Sequence, residues 1–107
     1  MMDNAEILSR LEKVIASRKG GDAAVSYAAK LFEMGRRRMA QKVGEEAVEV
    51  ALASISGDRQ EVIAESADLL FHLMVLWADM DLGPDDICAE LSRREGLSGI
   101  DEKNART

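Results

Sequence analysis

Hydrophobic residues recur every three or four positions along most of this chain, a spacing typical of helices, and no stretch alternates as a strand does. Asp3 or Asn4 can cap a first helix, which we expect to end near Ser17 to Lys19. Ser26 can cap a short second helix, which Gly35 stops. The pattern therefore predicts an all-α fold.

The longest pattern is a pair of helices, Met39 to Met80, joined by a very short loop. The loop contains Gly57, which favours the end of a helix, and Asp58, which can cap the next one. The two helices should therefore fold back as an antiparallel hairpin. The second arm is apolar around most of its circumference, so we expect the narrow polar line along it to face another part of the protein.

Four carboxylates lie at mirrored distances from the turn of this hairpin. Glu49 and Glu65 lie eight residues before and after Gly57, and Glu46 and Asp68 lie eleven residues before and after it. At the α-helical rise, these pairs are roughly 12 Å and 16 Å from the turn. The spacing predicts that the four acids meet across one seam.

Carboxylates that are close together raise one another's pKa unless a cation lies between them. An all-oxygen set with no cysteine and at most one histidine favours Mg²⁺ or Mn²⁺ over zinc. Such an ion keeps positions for water and phosphate oxygens, which points to cleavage of a phosphoanhydride. Taken alone, Glu45, Glu46 and Glu49 would fit a solvated helix face, and the mirrored acids are what favours a site. His72 lies on the same polar line, and we interpret it as a hydrogen-bonded core residue.

The chain has 107 residues, enough for one domain over residues 1–107 with a modest core. Two long helices with wide apolar surfaces are hard to cover with the short segments that remain. We therefore expect a homo-oligomer, most simply a homodimer that completes a helical bundle. The net charge of −6 argues against binding to nucleic acid or to an anionic membrane.

The cysteine content and the N-terminus indicate a compartment. Cys88 is the one cysteine, so no internal disulfide is possible and a reducing environment is the simpler assumption. The first residues lack the basic and apolar regions of a signal peptide. We expect a cytoplasmic protein.

Basic residues cluster twice. The run Arg36 to Arg38 leads into the hairpin, and we favour a flexible, solvated run over a phosphate site there. A last helix, Asp85 to Arg94, is predicted to bury Ile87, Cys88 and Leu91. Four cations lie at the end of this helix and in the residues after it, a segment that could either bind phosphate or fray as a soluble tail. They are Arg93, Arg94, Lys103 and Arg106.

The carboxylate pattern, Glu45-Glu46-x-x-Glu49 followed by Glu65-x-x-Asp68, resembles the signature of the MazG-like superfamily of all-α nucleoside triphosphate pyrophosphatases. Three further stretches resemble one family within it, the phosphoribosyl-ATP pyrophosphatases of histidine biosynthesis. These stretches are Ser26-Tyr27 with Leu31 and Gly35, Lys42-Val43-Gly44-Glu45-Glu46, and Arg93-Arg94-x-Gly96-x-Ser98-Gly99-x-x-Glu102-Lys103-x-x-Arg106.

The resemblance implies Mg²⁺-dependent hydrolysis of a nucleotide, phosphoribosyl-ATP, to phosphoribosyl-AMP and pyrophosphate. By the same resemblance Glu46, Glu49, Glu65 and Asp68 would ligate metal, and Glu45 would be a water-orienting base or a supporting carboxylate. Phosphates would be held by Lys42, Arg94, Lys103 and Arg106, and Ser26 and Tyr27 would line the substrate pocket.

Two alternatives use the same acids. A house-cleaning pyrophosphatase would act on ordinary or damaged nucleoside triphosphates. A helical oligomerisation module would bind divalent cations only for stability. Neither the number of ions nor the identity of the general base follows from the sequence.

Overall fold

The computed structural model describes residues 3–97 and 99–106, and the regular structure in those ranges is entirely helical. The predicted all-α fold is therefore confirmed. The helices are α1 (Asn4–Ser17), α2 (Tyr27–Met34), α3 (Arg36–Ser56), α4 (Arg59–Asp79), α5 (Pro84–Arg93) and α6 (Gly99–Ala105). Ser98, part of the C-terminal motif, lies outside the described residues.

The predicted capping residues begin three of these helices. The Asp3 carboxylate accepts a hydrogen bond from the backbone N–H of Glu6, and the Ser26 hydroxyl accepts one from the N–H of Ala29. Asp58 accepts from the first turn of α4. Each side chain satisfies a backbone donor that a helix start leaves without an intrahelical partner.

Helices α3 and α4 form the predicted hairpin and are the most extensively packed pair. Gly57 ends α3 with φ of +81°, a left-handed conformation that glycine adopts without the steric cost of a Cβ atom. With only Gly57 and Asp58 between the helices, the chain reverses and α4 returns along α3. Acids placed symmetrically about this turn are thereby brought to similar heights.

The start of α3 differs from the prediction. The helix begins at Arg36 rather than Met39. Gly35, with φ of +89°, is the one residue between α2 and α3, so the arginine run forms the first turn of α3. The Arg36 guanidinium donates hydrogen bonds to the Asp79 carboxylate at 2.8 Å and to the Asp79 carbonyl at 3.0 Å. The interpretation of the arginine run as flexible was therefore wrong, and Arg36 instead ties the start of α3 to the end of α4.

The core lies where α1, α2, α3 and α4 meet. Its buried side chains are Ile15, Leu31, Met39, Met74 and Val75. Partly buried residues of α1, α2 and α4 pack around them, and this arrangement holds α2 against the arm of α4 that carries Asp68 and His72.

Helix α5 packs on α1, but less deeply than expected. Ile87 is half-buried, whereas Cys88 and Leu91 are exposed, so their predicted burial was wrong. The apolar face of a short amphipathic helix can be read from its period, but its period does not show whether this chain covers that face. Among the described residues, none of the helices is both long enough and apolar enough to cross a membrane.

Candidate active site

Three carboxylates from the two arms of the hairpin converge. Glu46 and Glu49 lie one turn apart on α3, and Glu65 faces them from α4. One oxygen atom from each of these three side chains lies within 4.8 Å of the other two. Three of the four acids placed at mirrored distances thus come together as predicted.

Two carboxylate oxygens of this group lack a hydrogen-bond partner within the described part of the chain. Glu46 Oε2 and Glu65 Oε2 are shielded from solvent and have no hydrogen-bond partner among the described residues. Burial, followed by the neighbouring Glu49, raises the pKa of Glu46. Its proximity to Glu49, together with burial, raises the pKa of Glu65 to about 7. Two buried acceptors that face other acids indicate that the negative charge of this group is not balanced by a cation.

Asp68 lies one turn beyond Glu65 and outside the group of three. Its negative charge still contributes to the raised pKa of both Glu46 and Glu65, so it lies within electrostatic reach of them. The side chain of Asp68 is exposed and is one methylene shorter than that of glutamate. It therefore borders the site from the α4 side.

The donor set fits a divalent cation. Carboxylate oxygens are the ligands of hard ions, and a cation between these three side chains would satisfy the two buried oxygens and relieve the repulsion among the acids. Among the described residues, the carboxylates of Glu46, Glu49 and Glu65 are close enough together to hold a metal ion.

Lys42 and Glu45 form a pair on the same face of α3. Their charged groups lie 3.2 Å apart, and Gln41 donates a second hydrogen bond to Glu45. The hydrogen bond between them raises the pKa of Lys42 and lowers that of Glu45. Glu45 is therefore held as an anion beside the cluster, whereas Glu65 and Glu46 have raised pKa values.

His72 has the hydrogen-bonded, buried role that was predicted, and it also contacts a residue of another helix. Its side chain is 6% exposed, with Nδ1 2.8 Å from the Asp68 carbonyl oxygen and Nε2 3.1 Å from the Tyr27 hydroxyl. Tyr27 stacks on Phe71, with ring centroids 6.1 Å apart. This contact between helices was not predicted, because helical periodicity gives no information on which residues of two separate helices meet.

Ser26 lies beside Tyr27, but its hydroxyl oxygen already accepts the capping hydrogen bond at the start of α2. The hydroxyl proton remains available for a second partner. Ser26 and Tyr27 are thus at the start of α2, where Tyr27 contacts His72 of α4.

The C-terminal cations lie on two parts of the chain, at the end of α5 and on or just after α6. Glu90 accepts hydrogen bonds from both Arg93 and Arg94, and these bonds lower its pKa to about 2. Glu90 is three and four residues before the two arginines, so this pairing could have been read from the sequence. Lys103 lies on α6 and Arg106 follows it, and α6 is not among the helices that pack extensively in the described part of the chain.

Comparison with known proteins identifies the family. Residues 8–95 match the family described as phosphoribosyl-ATP pyrophosphohydrolase. The chain is 58% identical over 101 residues to the phosphoribosyl-ATP pyrophosphatase of Rhodospirillum rubrum, covering 94% of this chain and 86% of the relative. It is 55% identical to that of Paramagnetospirillum magneticum, covering 99% of this chain and 97% of the relative. It is 53% identical to that of Azospirillum brasilense, covering 96% of this chain and 93% of the relative.

The family match covers α3 and α4 and therefore all the carboxylates of the candidate site. The relatives extend the similarity over nearly the whole chain at more than half identity. This chain belongs to the phosphoribosyl-ATP pyrophosphohydrolase family.

Proposed function

We propose that this chain hydrolyses phosphoribosyl-ATP to phosphoribosyl-AMP and pyrophosphate, the second step of histidine biosynthesis. The observation that carries the proposal is the convergence of Glu46, Glu49 and Glu65 around two buried, unpartnered oxygens. The names and high identity of the relatives support the choice of substrate.

The proposed ligands of the metal are Glu46, Glu49, Glu65 and Asp68, and the proposed metal is Mg²⁺, with Mn²⁺ as a substitute. The first three already share a small volume, and Asp68 borders it. When bound, the ion would neutralise triphosphate charge and lower the pKa of a coordinated water. The raised pKa values of Glu46 and Glu65 support this assignment, because they mark negative charge that the chain itself does not balance.

Hydrolysis adds water across the bond between the α and β phosphates, so the chain has to hold the triphosphate and orient the water. We propose that Glu45 contacts the attacking water. Its ion pair with Lys42 keeps it anionic and restricts its orientation. An anionic carboxylate accepts hydrogen bonds, so it can hold a water whose oxygen faces phosphorus.

The proposed phosphate-binding groups stabilise charge on the departing pyrophosphate. They are Lys42, Arg94, Lys103 and Arg106, while Ser26 and Tyr27 are proposed to line the remainder of the pocket. Lys42 lies within one turn of Glu45 and Glu46 on α3, which supports its role. The roles of the three C-terminal cations are supported by the clustering of positive charge in an acidic chain.

We propose that the chain acts as a homodimer formed through α3. Gly44, Val48, Leu52 and Ile55 lie on one face of this helix, within a sector of about 80° at the helical period. The three apolar side chains are 58%, 64% and 86% exposed, and, apart from its chain neighbours and the backbone of its own helix, no described atom lies within 4 Å of a Cβ added at Gly44. Burying these side chains against a second copy would contribute on the order of 4 kcal/mol per protomer.

The proposed location is the cytoplasm. Cys88 is a free thiol with an exposed side chain, which suits a reducing compartment.

Release of pyrophosphate tests the proposal directly. The wild-type chain, incubated with Mg²⁺, should release pyrophosphate from phosphoribosyl-ATP and not from a panel of ordinary nucleoside triphosphates. Release from the panel would instead support a house-cleaning enzyme, and release from neither would support a cation-binding structural module. The same assay with the metal chelated should give no product.

Matched substitutions test the ligands. Glu49→Gln and Asp68→Asn should each lower turnover at least a hundredfold while leaving helical content unchanged by circular dichroism. Glu61→Gln is the control, because Glu61 lies one turn before Glu65 on α4 and outside the carboxylate group. Full activity of both Glu49→Gln and Asp68→Asn in Mg²⁺ would contradict the assignment.

A further inference from the structure

Four polar side chains follow one strip of α3, from its first turn to the carboxylate group. Successive members are one to four residues apart, and three or four residues along a helix bring side chains together on its surface. The last of them, Glu45, lies one turn before Glu49 on the same face. The strip therefore leads from the arginine run to the candidate site. Its members are Arg38, Gln41, Lys42 and Glu45.

Gln41 connects Arg38 to Glu45 through two hydrogen bonds. Its Oε1 accepts from Arg38 Nη1 at 2.7 Å, and its Nε2 donates to Glu45 Oε1 at 3.1 Å. An arginine can only donate and an ionised carboxylate can only accept, so this orientation of the amide is the one that makes both bonds. With the amide turned over, its N–H₂ group would face the guanidinium and its oxygen would face the carboxylate. Arg38 therefore determines which end of Gln41 reaches Glu45.

The two oxygens of Glu45 have different partners. Gln41 bonds to Oε1, and the Lys42 ammonium lies 3.2 Å from Oε2. One partner alone would allow the carboxylate to rotate about its last bond, whereas the two together restrict the plane of the group. Each carboxylate oxygen can accept more than one hydrogen bond, so both oxygens keep a lone pair for a water. The network restricts the orientation of Glu45 without using all its acceptors.

We propose that Gln41 is a positioning residue which, oriented by Arg38, holds the Glu45 carboxylate at the angle at which it contacts the attacking water. The inference rests on the proposed function, because it concerns the group assigned to that water. The Glu45 side chain is 47% exposed, so these surface bonds contribute little to the free energy of unfolding. Their contribution is to orientation, on which the rate of a reaction between bound groups depends steeply.

Steady-state kinetics with phosphoribosyl-ATP and Mg²⁺ separate orientation from binding. Gln41→Met keeps the length of the side chain and removes both hydrogen bonds, so it should lower kcat about tenfold with KM within about twofold of wild type. Arg38→Met should lower kcat about threefold, because the amide of Gln41 can then turn over. Gln60→Met is the matched control and should leave kcat unchanged, since Gln60 is an exposed glutamine in the first turn of α4.

Gln41→Lys tests whether Arg38 acts through the amide. An ammonium group donates in every rotation, so this variant should keep kcat within about threefold of wild type and need no orienting partner. Adding Arg38→Met to Gln41→Lys should then leave kcat unchanged. Adding Gln41→Met to Glu45→Ala should likewise have no further effect, because the carboxylate to be positioned is already absent.

An unchanged kcat in Gln41→Met would overturn the proposal. A rise in KM without a fall in kcat would also overturn it, because Gln41 would then contact the substrate itself. So would a fall in kcat of equal size with and without Glu45→Ala. Lack of turnover by the wild-type chain would refute the proposed function, whereas any of these three results in an active wild-type enzyme refutes this inference alone.

Discussion

Glu65 is the residue whose protonation responds most to its surroundings in the candidate site. Its ordinary pKa of 4.5 is raised to about 7, first by its hydrogen-bonded proximity to Glu49 and then by burial. Without metal, the folded chain therefore keeps a proton on Glu65 under conditions where the unfolded chain has lost it. A cation in the site would favour the ionised form instead.

This difference predicts a pH dependence of stability. Between about pH 4.5 and 7 the folded state binds more protons than the unfolded state, so the free energy of unfolding falls as pH rises through this window and levels off above it. Calorimetry with a chelator present should give a lower unfolding temperature at pH 8 than at pH 5. The lowered pKa of Glu90 acts only between about 2 and 4.5, below this range.

Glu65→Gln isolates the effect. The unfolding temperature of the variant should fall less between pH 5 and pH 8 than that of the wild-type chain, because glutamine has no proton to release. Adding Mg²⁺ at pH 8 should stabilise the wild-type chain and not the variant. Identical pH profiles for the two proteins would show that Glu65 does not titrate in this window.

At the scale of the helices, the turn between α3 and α4 determines which carboxylates meet. Asp58 accepts hydrogen bonds from the N–H groups of Gln60 and Glu61 through one oxygen, at 3.0 and 3.2 Å. Gly57 provides the left-handed residue that ends α3. A substitution at Gly57 or Asp58 therefore alters the stability of the hairpin without changing the carboxylates of the candidate site.

Asp58→Ala should therefore lower the free energy of unfolding by about 1 kcal/mol, the usual effect of losing an N-cap. For a domain of this size that corresponds to a fall in unfolding temperature of roughly 4–8 °C. Asp58→Asn is the matched control, because asparagine caps helices equally well. An equal loss of stability in both variants would mean that the charge, and not the cap, is what matters.

The starts of α1, α2 and α4 and the end of α3 were predictable because they depend on local chemistry, whereas the start of α3 was not. Asp3, Ser26 and Asp58 cap the helices they precede, and Gly57 ends α3 with a positive φ. The convergence of Glu46, Glu49 and Glu65 followed from the same turn and a fixed helical rise. These features need only a few neighbouring residues to determine them.

Contacts between distant parts of the chain were not predictable in this way. Arg36 bonds to Asp79, 43 residues further along, and Tyr27 bonds to His72, 45 residues further along. Both pairs depend on how the helices cross, which periodicity does not specify. The exposure of Leu91 has a similar origin, since an apolar stripe shows that a surface needs covering but not what covers it.

At the scale of the whole molecule, the exposed apolar face of α3 predicts association. Ile55→Asp should dissociate the proposed homodimer, because it places a charge among the side chains to be buried. Light scattering after size exclusion should change from a dimer to a monomer mass. Val25→Asp is the control, since Val25 is 83% exposed and Ile55 86%, but Val25 lies in the loop before α2. A monomeric wild-type chain, or a dimeric Ile55→Asp variant, would contradict the proposed interface.

We propose that acids from both arms of the hairpin jointly hold a divalent cation. The test is a crystal structure grown with Mn²⁺, with anomalous scattering measured to locate the metal. We expect an anomalous peak bounded by oxygens of Glu46, Glu49 and Glu65, at the short distances of about 2.1 Å that hard ions adopt. Absence of a peak there from crystals of active enzyme soaked in Mn²⁺, with these side chains directed apart, would contradict it.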